Sequence, residues 1–357
     1  MIKLGSQVIT KVDGGIISEV FDEIAQDIKE LTTQNIYPVI VSSGAINTAR
    51  SEVNWKGNDI TTLQALSSLG QPKLMQAYQN SFDKLSLKCA QILLTHEDFK
   101  HRTRYLNIRN TILKLLSEGI IPILNENDAV SFNEITLGDN DQLASFTAQM
   151  IEADLLLLIT SVDGVMSHSP ENSQAKTISL VEDITKLKVS TDSKTKNGKG
   201  GMSSKLAATK KATQVGIEVI ISGKDYPHFI QRSLTQEVGT FFQAKNKQNS
   251  KKKWMLSAYN EKGKIIIDQG CCNALIKSNS SLLAAGIKSV KGDFKRGEVI
   301  GVYYNSKCIA VGLSEYNQEE IEKIKGKKTQ EIMQIFPQLI SKEVIHKDNL
   351  VLCSDES

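Results

Sequence analysis

Six short apolar runs alternate with amphipathic stretches over the first two-thirds of this chain: Ile2 to Ile9, Ile36 to Val41, Cys89 to Leu94, Ile120 to Leu124, Leu155 to Thr160 and Val219 to Ser222. Several are continuously apolar, the pattern of strands covered on both faces. Between the first two, Ile17, Val20, Phe21, Ile24, Ile28 and Leu31 recur at three- and four-residue steps and give a helix one apolar stripe. Leu106, Ile108, Ile112, Leu113, Leu115 and Leu116 predict a second helix, and Ala144 to Met150 a third. Such alternation constrains the fold to α/β, an αβα sandwich with a largely parallel sheet.

The pattern breaks at Ala244 to Lys253, a polar, basic run without apolar periodicity. At 357 residues the chain is long for a single core, so this run reads as a linker between domains. The expected division is an α/β domain over 1–244, a linker over 245–261 and a small, mostly β domain over 262–350. Within the last, Lys264 to Asp268, Gly297 to Tyr304, Lys307 to Leu313 and Asn349 to Cys353 read as short strands, and Trp254 as packing for that domain.

Composition excludes several classes. Hydrophobic content of 40% and charged content of 23% are those of a soluble globular protein. A net charge of +3 is too small to argue for nucleic acid by itself. The 5 cysteines have no metal-ligand spacing, and with no secretory signal they predict reduced thiols in a cytoplasmic protein. No apolar run approaches the roughly 20 residues that span a bilayer. The 5 histidines form no metal or Ser/His/Asp pattern and read as surface or core residues.

The feature most informative about function lies between Asn125 and Asp141. It gathers Glu126, Asp128, Glu134, Asp139 and Asp141 with Asn125, Asn127, Asn133 and Asn140. Buried carboxylates repel one another unless cations pair with them, so a folding core would not choose this composition. The counter-charges offered are a cationic ligand group and two lysines in other motifs, Lys3 and Lys205. Lys3-Leu4-Gly5-Ser6 ends a very short first strand, where a glycine lets backbone N–H groups approach an anion. Val41-Ser42-Ser43-Gly44-Ala45 joins a strand to a helix: an anion site at the helix start, or a plain turn with Ser42 or Ser43 as N-cap. Gly198 to Lys205, Gly-Lys-Gly-Gly-Met-Ser-Ser-Lys, has the parts of a phosphate cradle without Walker A order. Thr160 ends the most apolar strand, where parallel sheets bind ligands, or where a strand simply enters a β-turn. Together these point to phosphoryl transfer.

In this order the motifs resemble the amino-acid kinase family, and within it the branch that phosphorylates the side-chain carboxylate of glutamate. The resemblance rests on Lys3-Leu4-Gly5, Ser42-Ser43-Gly44-Ala45, Asn125 to Val130, Gly138-Asp139-Asn140-Asp141 and Gly200 to Lys205. Leu282 to Gly301 resembles the PUA domain that many bacterial members append. The resemblance implies ATP-dependent conversion of L-glutamate to L-glutamyl 5-phosphate, the first step of proline synthesis. It implies Lys3 and Lys205 on opposite sides of the transferring phosphoryl group and Asp141 holding both. Gly5 and Gly44 would offer backbone N–H groups, and Ser43, Gly44, Asp128, Asp139 and Asn140 would bind glutamate. Thr160, Ser161 and the loop Lys199, Gly200, Gly201, Met202, Ser203, Ser204 and Lys205 would hold ATP, with Mg²⁺ arriving on the phosphates. Ser161 stands where many members carry Asp. Feedback inhibition by proline and a homo-oligomer, dimer or tetramer, are further implications.

Two rival expectations stand beside this one. A member of the same family could act on another small acid, and a PUA-like domain elsewhere commonly binds RNA. Lys288, Lys291, Lys295 and Arg296 give the domain basic character, but it has no obvious aromatic stacking platform.

Overall fold

A computed structural model describes residues 1–53, 55, 57–130, 140–167, 175–187, 201–244, 255, 259, 263–278, 280–336 and 341–353. The chain divides into two compact units, Met1–Lys247 and Gln248–Ser357.

The first unit is built on eight strands: β1 (Ile2–Leu4), β2 (Ile40–Ser42), β3 (Lys88–Leu94), β4 (Ile120–Glu126), β5 (Leu155–Thr160), β6 (Leu180–Val181), β7 (Glu218–Gly223) and β8 (Thr240–Phe242). Their order is β3-β4-β2-β1-β5-β7-β8-β6. The six from β3 to β7 are parallel, and β8 runs antiparallel to β7. Helices α1 (Ser6–Ile9), α2 (Ser18–Thr33), α3 (Ala45–Arg50), α4 (Ile60–Asp83), α5 (His96–Lys100), α6 (Arg102–Ser117), α7 (Asn140–Met150), α8 (Met202–Gln214) and α9 (Phe229–Leu234) complete the unit. Strand alternation fills both faces. Leu157 and Ile159 enter one core with Phe21, Ile24, Ile28, Tyr78 and Phe82, whereas Leu156 and Leu158 enter the other with Leu143, Ala144, Ala148 and Ala212. That is the αβα sandwich the apolar runs predict.

Three local expectations need correction. The run Ile2 to Ile9 is not one strand: β1 stops at Leu4, and Ser6–Ile9 form a helical turn that buries Val8 and Ile9. Neither Ser42 nor Ser43 caps α3; Gly44 does, at φ 104°, which favours glycine. Helix α4, 24 residues long, is absent from the sequence reading because Gly70, Gln71 and Pro72 interrupt its apolar stripe. Gly70 is there for contact: a Cβ on it would lie 1.8 Å from the Ala45 carbonyl oxygen. Ala45 thereby packs directly on the α4 backbone.

The second unit carries a five-stranded sheet in the order β10-β9-β11-β12-β13: β9 (Lys264–Ile267), β10 (Ile287–Lys291), β11 (Val299–Tyr304), β12 (Lys307–Leu313) and β13 (Leu350–Leu352). All neighbours are antiparallel except β9 and β11. Of the expected linker, Met255 is fully buried against Val299 and Val311, and the Tyr259 hydroxyl meets that of Tyr303 at 2.9 Å. Packing of this unit therefore starts before residue 262. The remainder of 245–261, with Trp254, lies outside the described residues.

Candidate active site

The sheet brings the motifs together. With β1 between β2 and β5, the parallel strands β1, β2, β4 and β5 end at Leu4, Ser42, Glu126 and Thr160, and the following loops meet beyond their carboxyl ends. Ile2 and Leu4 point into the α2–α4 core, so alternation turns Lys3 to the other face, where α7 and α8 pack.

There its ammonium lies 2.8 Å from Asp141 Oδ1. Lys205, in the first turns of α8, lies 3.2 Å from Asp141 Oδ2. Ser204 Oγ donates to the same Oδ2 at 2.7 Å, with the Gly201 carbonyl 3.1 Å away as an alternative acceptor for the same proton. Lys3, Asp141 and Lys205 are 6%, 1% and 5% exposed, so three charges are withdrawn from water around one carboxylate. Burial alone would push the Asp141 carboxyl up. The ammoniums of Lys3 and Lys205, with hydrogen bonds from Lys3 and Ser204, outweigh it and hold the group well below the usual carboxylate range. One carboxylate between two ammoniums leaves the trio with one net positive charge in a low-dielectric setting, which an anion would neutralise.

Beside the trio runs a chain of oriented amides. The Glu126 backbone N–H donates to Asn125 Oδ1 at 2.9 Å, which fixes which way the Asn125 amide faces. Asn125 Nδ2 accordingly donates to Gln71 Oε1 at 2.8 Å, and Asn140 Nδ2 donates to Asn125 Oδ1 at 2.9 Å and to Ser43 Oγ at 2.8 Å. Ser43 Oγ therefore accepts a hydrogen bond from Asn140, and its own O–H is the donor it has left for a ligand. Below it, Tyr78 donates to Ser42 Oγ at 2.9 Å. On the far side of the loop, Ser67 Oγ donates to Asp128 Oδ2 at 2.7 Å.

The expected residues divide as follows. Lys3, Asp141, Lys205 and Ser204 converge on one point; Ser43 and Asn140 belong to the adjoining amide chain, Gly44 follows Ser43 as the cap of α3, and Asp128 is held by Ser67. Gly5 does not present its N–H to a ligand as expected, because that group donates to the Ile159 carbonyl at 3.2 Å. Thr160 ends β5 half-buried, and Ser161 Oγ donates to Gln7 Oε1 at 2.8 Å. Gly201 caps α8 in an extended conformation, Met202 packs on the core behind it, and Ser203 is exposed. Asp139, Lys199 and Gly200 lie outside the described residues. Ser67, Gln71 and Tyr78 were missed. The only signal for them is three polar side chains on the buried face of a long helix.

A sequence profile described as the amino acid kinase family matches residues 1–223. The chain belongs to the amino acid kinase family. A PUA domain profile matches residues 263–336. Among curated relatives, the glutamate 5-kinase of Desulfotalea psychrophila is 37% identical, covering 99% of this chain and 96% of its own length. Those of Thermus thermophilus and Maridesulfovibrio salexigens are 38% and 40% identical, again over 99% of this chain, covering 96% and 95% of theirs. In this family member no helix among the described residues is long and apolar enough to cross a membrane.

Proposed function

We propose that this chain transfers the γ-phosphoryl group of ATP to the side-chain carboxylate of L-glutamate, giving L-glutamyl 5-phosphate for proline synthesis in the cytoplasm. The observation that carries the reading is the buried Lys3–Asp141–Lys205 trio, at 2.8 and 3.2 Å, in a chain aligned almost end to end with glutamate 5-kinases.

The acceptor carboxylate is ionised at neutral pH, with a reference pKa of about 4.3, so the reaction needs no general base. The obstacle is repulsion between two anions. Lys3 and Lys205 meet it by placing ammonium charge on the transferring phosphoryl oxygens, where negative charge spreads in the transition state. Asp141 keeps both ammoniums aimed while cancelling one of the two charges, which prevents their mutual repulsion from opening the site. Ser43 donates to an acceptor oxygen, Asp128 takes the α-ammonium, and Thr160 and the segment ending at Lys205 hold the nucleotide.

Both Asp141 oxygens face ammoniums and Oδ2 also accepts from Ser204, so its charge is countered by the protein itself. No cluster of three His, Cys, Asp or Glu suited to a metal occurs among the described residues. Mg²⁺ would arrive on the ATP phosphates, held by phosphate oxygens and water, and would supply charge neutralisation. Proline, which shares the substrate's α-carboxylate and amine, acts as feedback inhibitor in the glutamate pocket, and the kinase unit assembles as a homo-oligomer.

The test is an ATP- and Mg²⁺-dependent assay with hydroxylamine trapping the acyl phosphate, run with L-glutamate, L-aspartate and N-acetyl-L-glutamate. Hydroxamate formed preferentially from L-glutamate is the expected result. Preference for another acid would replace the substrate and keep the chemistry, and no product from any would overturn the reading.

A further inference from the structure

Helix α4 crosses beneath the acceptor side of the site, and its buried face is not purely apolar. Ser67 and Gln71, one turn apart, are 4% and 8% exposed among Leu63, Leu66, Leu74 and Tyr78. Residues four apart on a helix share a face. Each spends its side chain on the stretch between Asn125 and Asp128. Ser67 donates to Asp128 Oδ2 at 2.7 Å, and Gln71 accepts from Asn125 Nδ2 at 2.8 Å.

We propose that Ser67 and Gln71 are positioning residues for the acceptor, acting through Asp128 and through the Asn125–Asn140–Ser43 chain. The inference rests on the kinase reading above and adds residues that neither the sequence motifs nor the trio singled out. Its physical content is hydrogen-bond direction. Gln71 can serve Asn125 Nδ2 only with its oxygen, and Asn125 in turn can serve Asn140 only with its own oxygen. Asn140 must then present its amide hydrogens to Asn125 and Ser43. Its carbonyl oxygen is turned away from both; it is buried and unpartnered among the described residues. Removing the Gln71 acceptor leaves a buried Asn125 donor unserved, and the amide pulled out of line no longer fixes Asn140 or the Ser43 hydroxyl. Removing the Ser67 hydroxyl takes away the hydrogen bond that orients Asp128 Oδ2 toward the acceptor ammonium. Neither residue reaches the trio through any of these bonds, so chemistry and ATP should be spared.

The experiment compares full-length wild type, Ser67→Ala and Gln71→Met in the hydroxamate assay. KM for glutamate, KM for ATP, kcat and the urea midpoint are measured for each. Alanine suits a helix interior and methionine matches glutamine in length, so both variants preserve α4. The expected result is a rise of roughly tenfold in KM for glutamate, the effect of losing one hydrogen bond to a charged or oriented group. KM for ATP and kcat should stay near wild type in both variants, and the midpoint should fall modestly in Gln71→Met, which leaves one buried donor unserved. Ser67→Ala added to Asp128→Ala should change nothing further, since its effect passes through Asp128. An active wild type whose variants keep their glutamate KM overturns this inference alone. So do effects of Ser67→Ala and Asp128→Ala that multiply, or all constants worsening in step with the midpoint. A wild type that makes no glutamyl hydroxamate overturns the kinase reading and this inference with it.

Discussion

Lys3 on β1 and Asp141 at the start of α7 meet at 2.8 Å with almost no surface left to solvent. Buried ion pairs are poor stabilisers, since desolvation offsets most of their attraction. A pair joined by a second lysine on α8 is therefore better understood as machinery than as scaffolding: it couples β1 to helices α7 and α8 through one carboxylate.

Asp141→Asn should harm both stability and turnover. The amide can still accept from Ser204, but two buried ammoniums lose the counter-ion they share. Breaking a buried pair in this way costs about 3–5 kcal/mol. Urea unfolding reads the stability loss, and kcat should fall because Lys3 and Lys205 are no longer aimed.

Lys3→Ala and Lys205→Ala should each lower kcat by roughly 10²–10³, as expected for losing one preorganised transition-state donor. Circular dichroism should show a folded protein in both cases. Near-normal turnover in either variant would remove that lysine from the mechanism.

How much of this was legible in the sequence depends on the physics behind each residue. Lys3, Asp141 and Lys205 stood out because charge in motifs beside apolar strands is chemically conspicuous. The strands β5 and β7 were legible because Leu155–Thr160 and Val219–Ser222 are too apolar to lie anywhere but the centre of a sheet. Helix α4 was not, because the residues that interrupt its stripe have tertiary reasons to be there: Gly70 admits the Ala45 backbone, and Gln71 holds Asn125. Gly5 was misjudged for a related reason, since nothing local reveals that its N–H is already bound to Ile159.

Asp128→Ala should chiefly raise KM for glutamate, with kcat at saturation and KM for ATP much less affected. The carboxylate is held by Ser67, and its proposed role is with the acceptor. A change confined to ATP affinity would assign Asp128 to the other ligand.

Gly70→Ala sets two effects of opposite sign against each other. In an exposed helix interior alanine gains up to about 1 kcal/mol over glycine. Here the new Cβ would lie 1.8 Å from Ala45 O and 2.8 Å from Ala45 C, both backbone atoms that cannot rotate away. Overpacking of this kind costs about 1–3 kcal/mol, so the substitution should destabilise. Because Ala45 follows Gly44 and Ser43, KM for glutamate should rise as well. A more stable variant by urea denaturation would show that α3 yields easily.

His228 should make stability depend on pH near neutrality. Its Nδ1 lies 2.9 Å from the buried Asp27 Oδ1, and the other oxygen of Asp27 accepts the Ile230 N–H at 3.0 Å in the first turn of α9. The hydrogen bond and charge of Asp27 raise the His228 pKa, while burial raises that of Asp27 against the hydrogen bonds it accepts. Both groups bind their proton more tightly in the folded protein. Each contribution is therefore complete below the unfolded pKa and is lost as pH rises through the folded one. For Asp27 that window starts near pH ~3.9, and for His228 near ~6.5. The His228 ring is 55% exposed, so its effect is screened and should shrink in salt. His228→Asn tolerates the left-handed backbone found there, at φ 55°. The urea midpoint of wild type should exceed that of His228→Asn most at about pH 5.5, and the gap should close by about pH 8.5. A gap that widens with pH would mean that Asp27 holds the neutral ring instead.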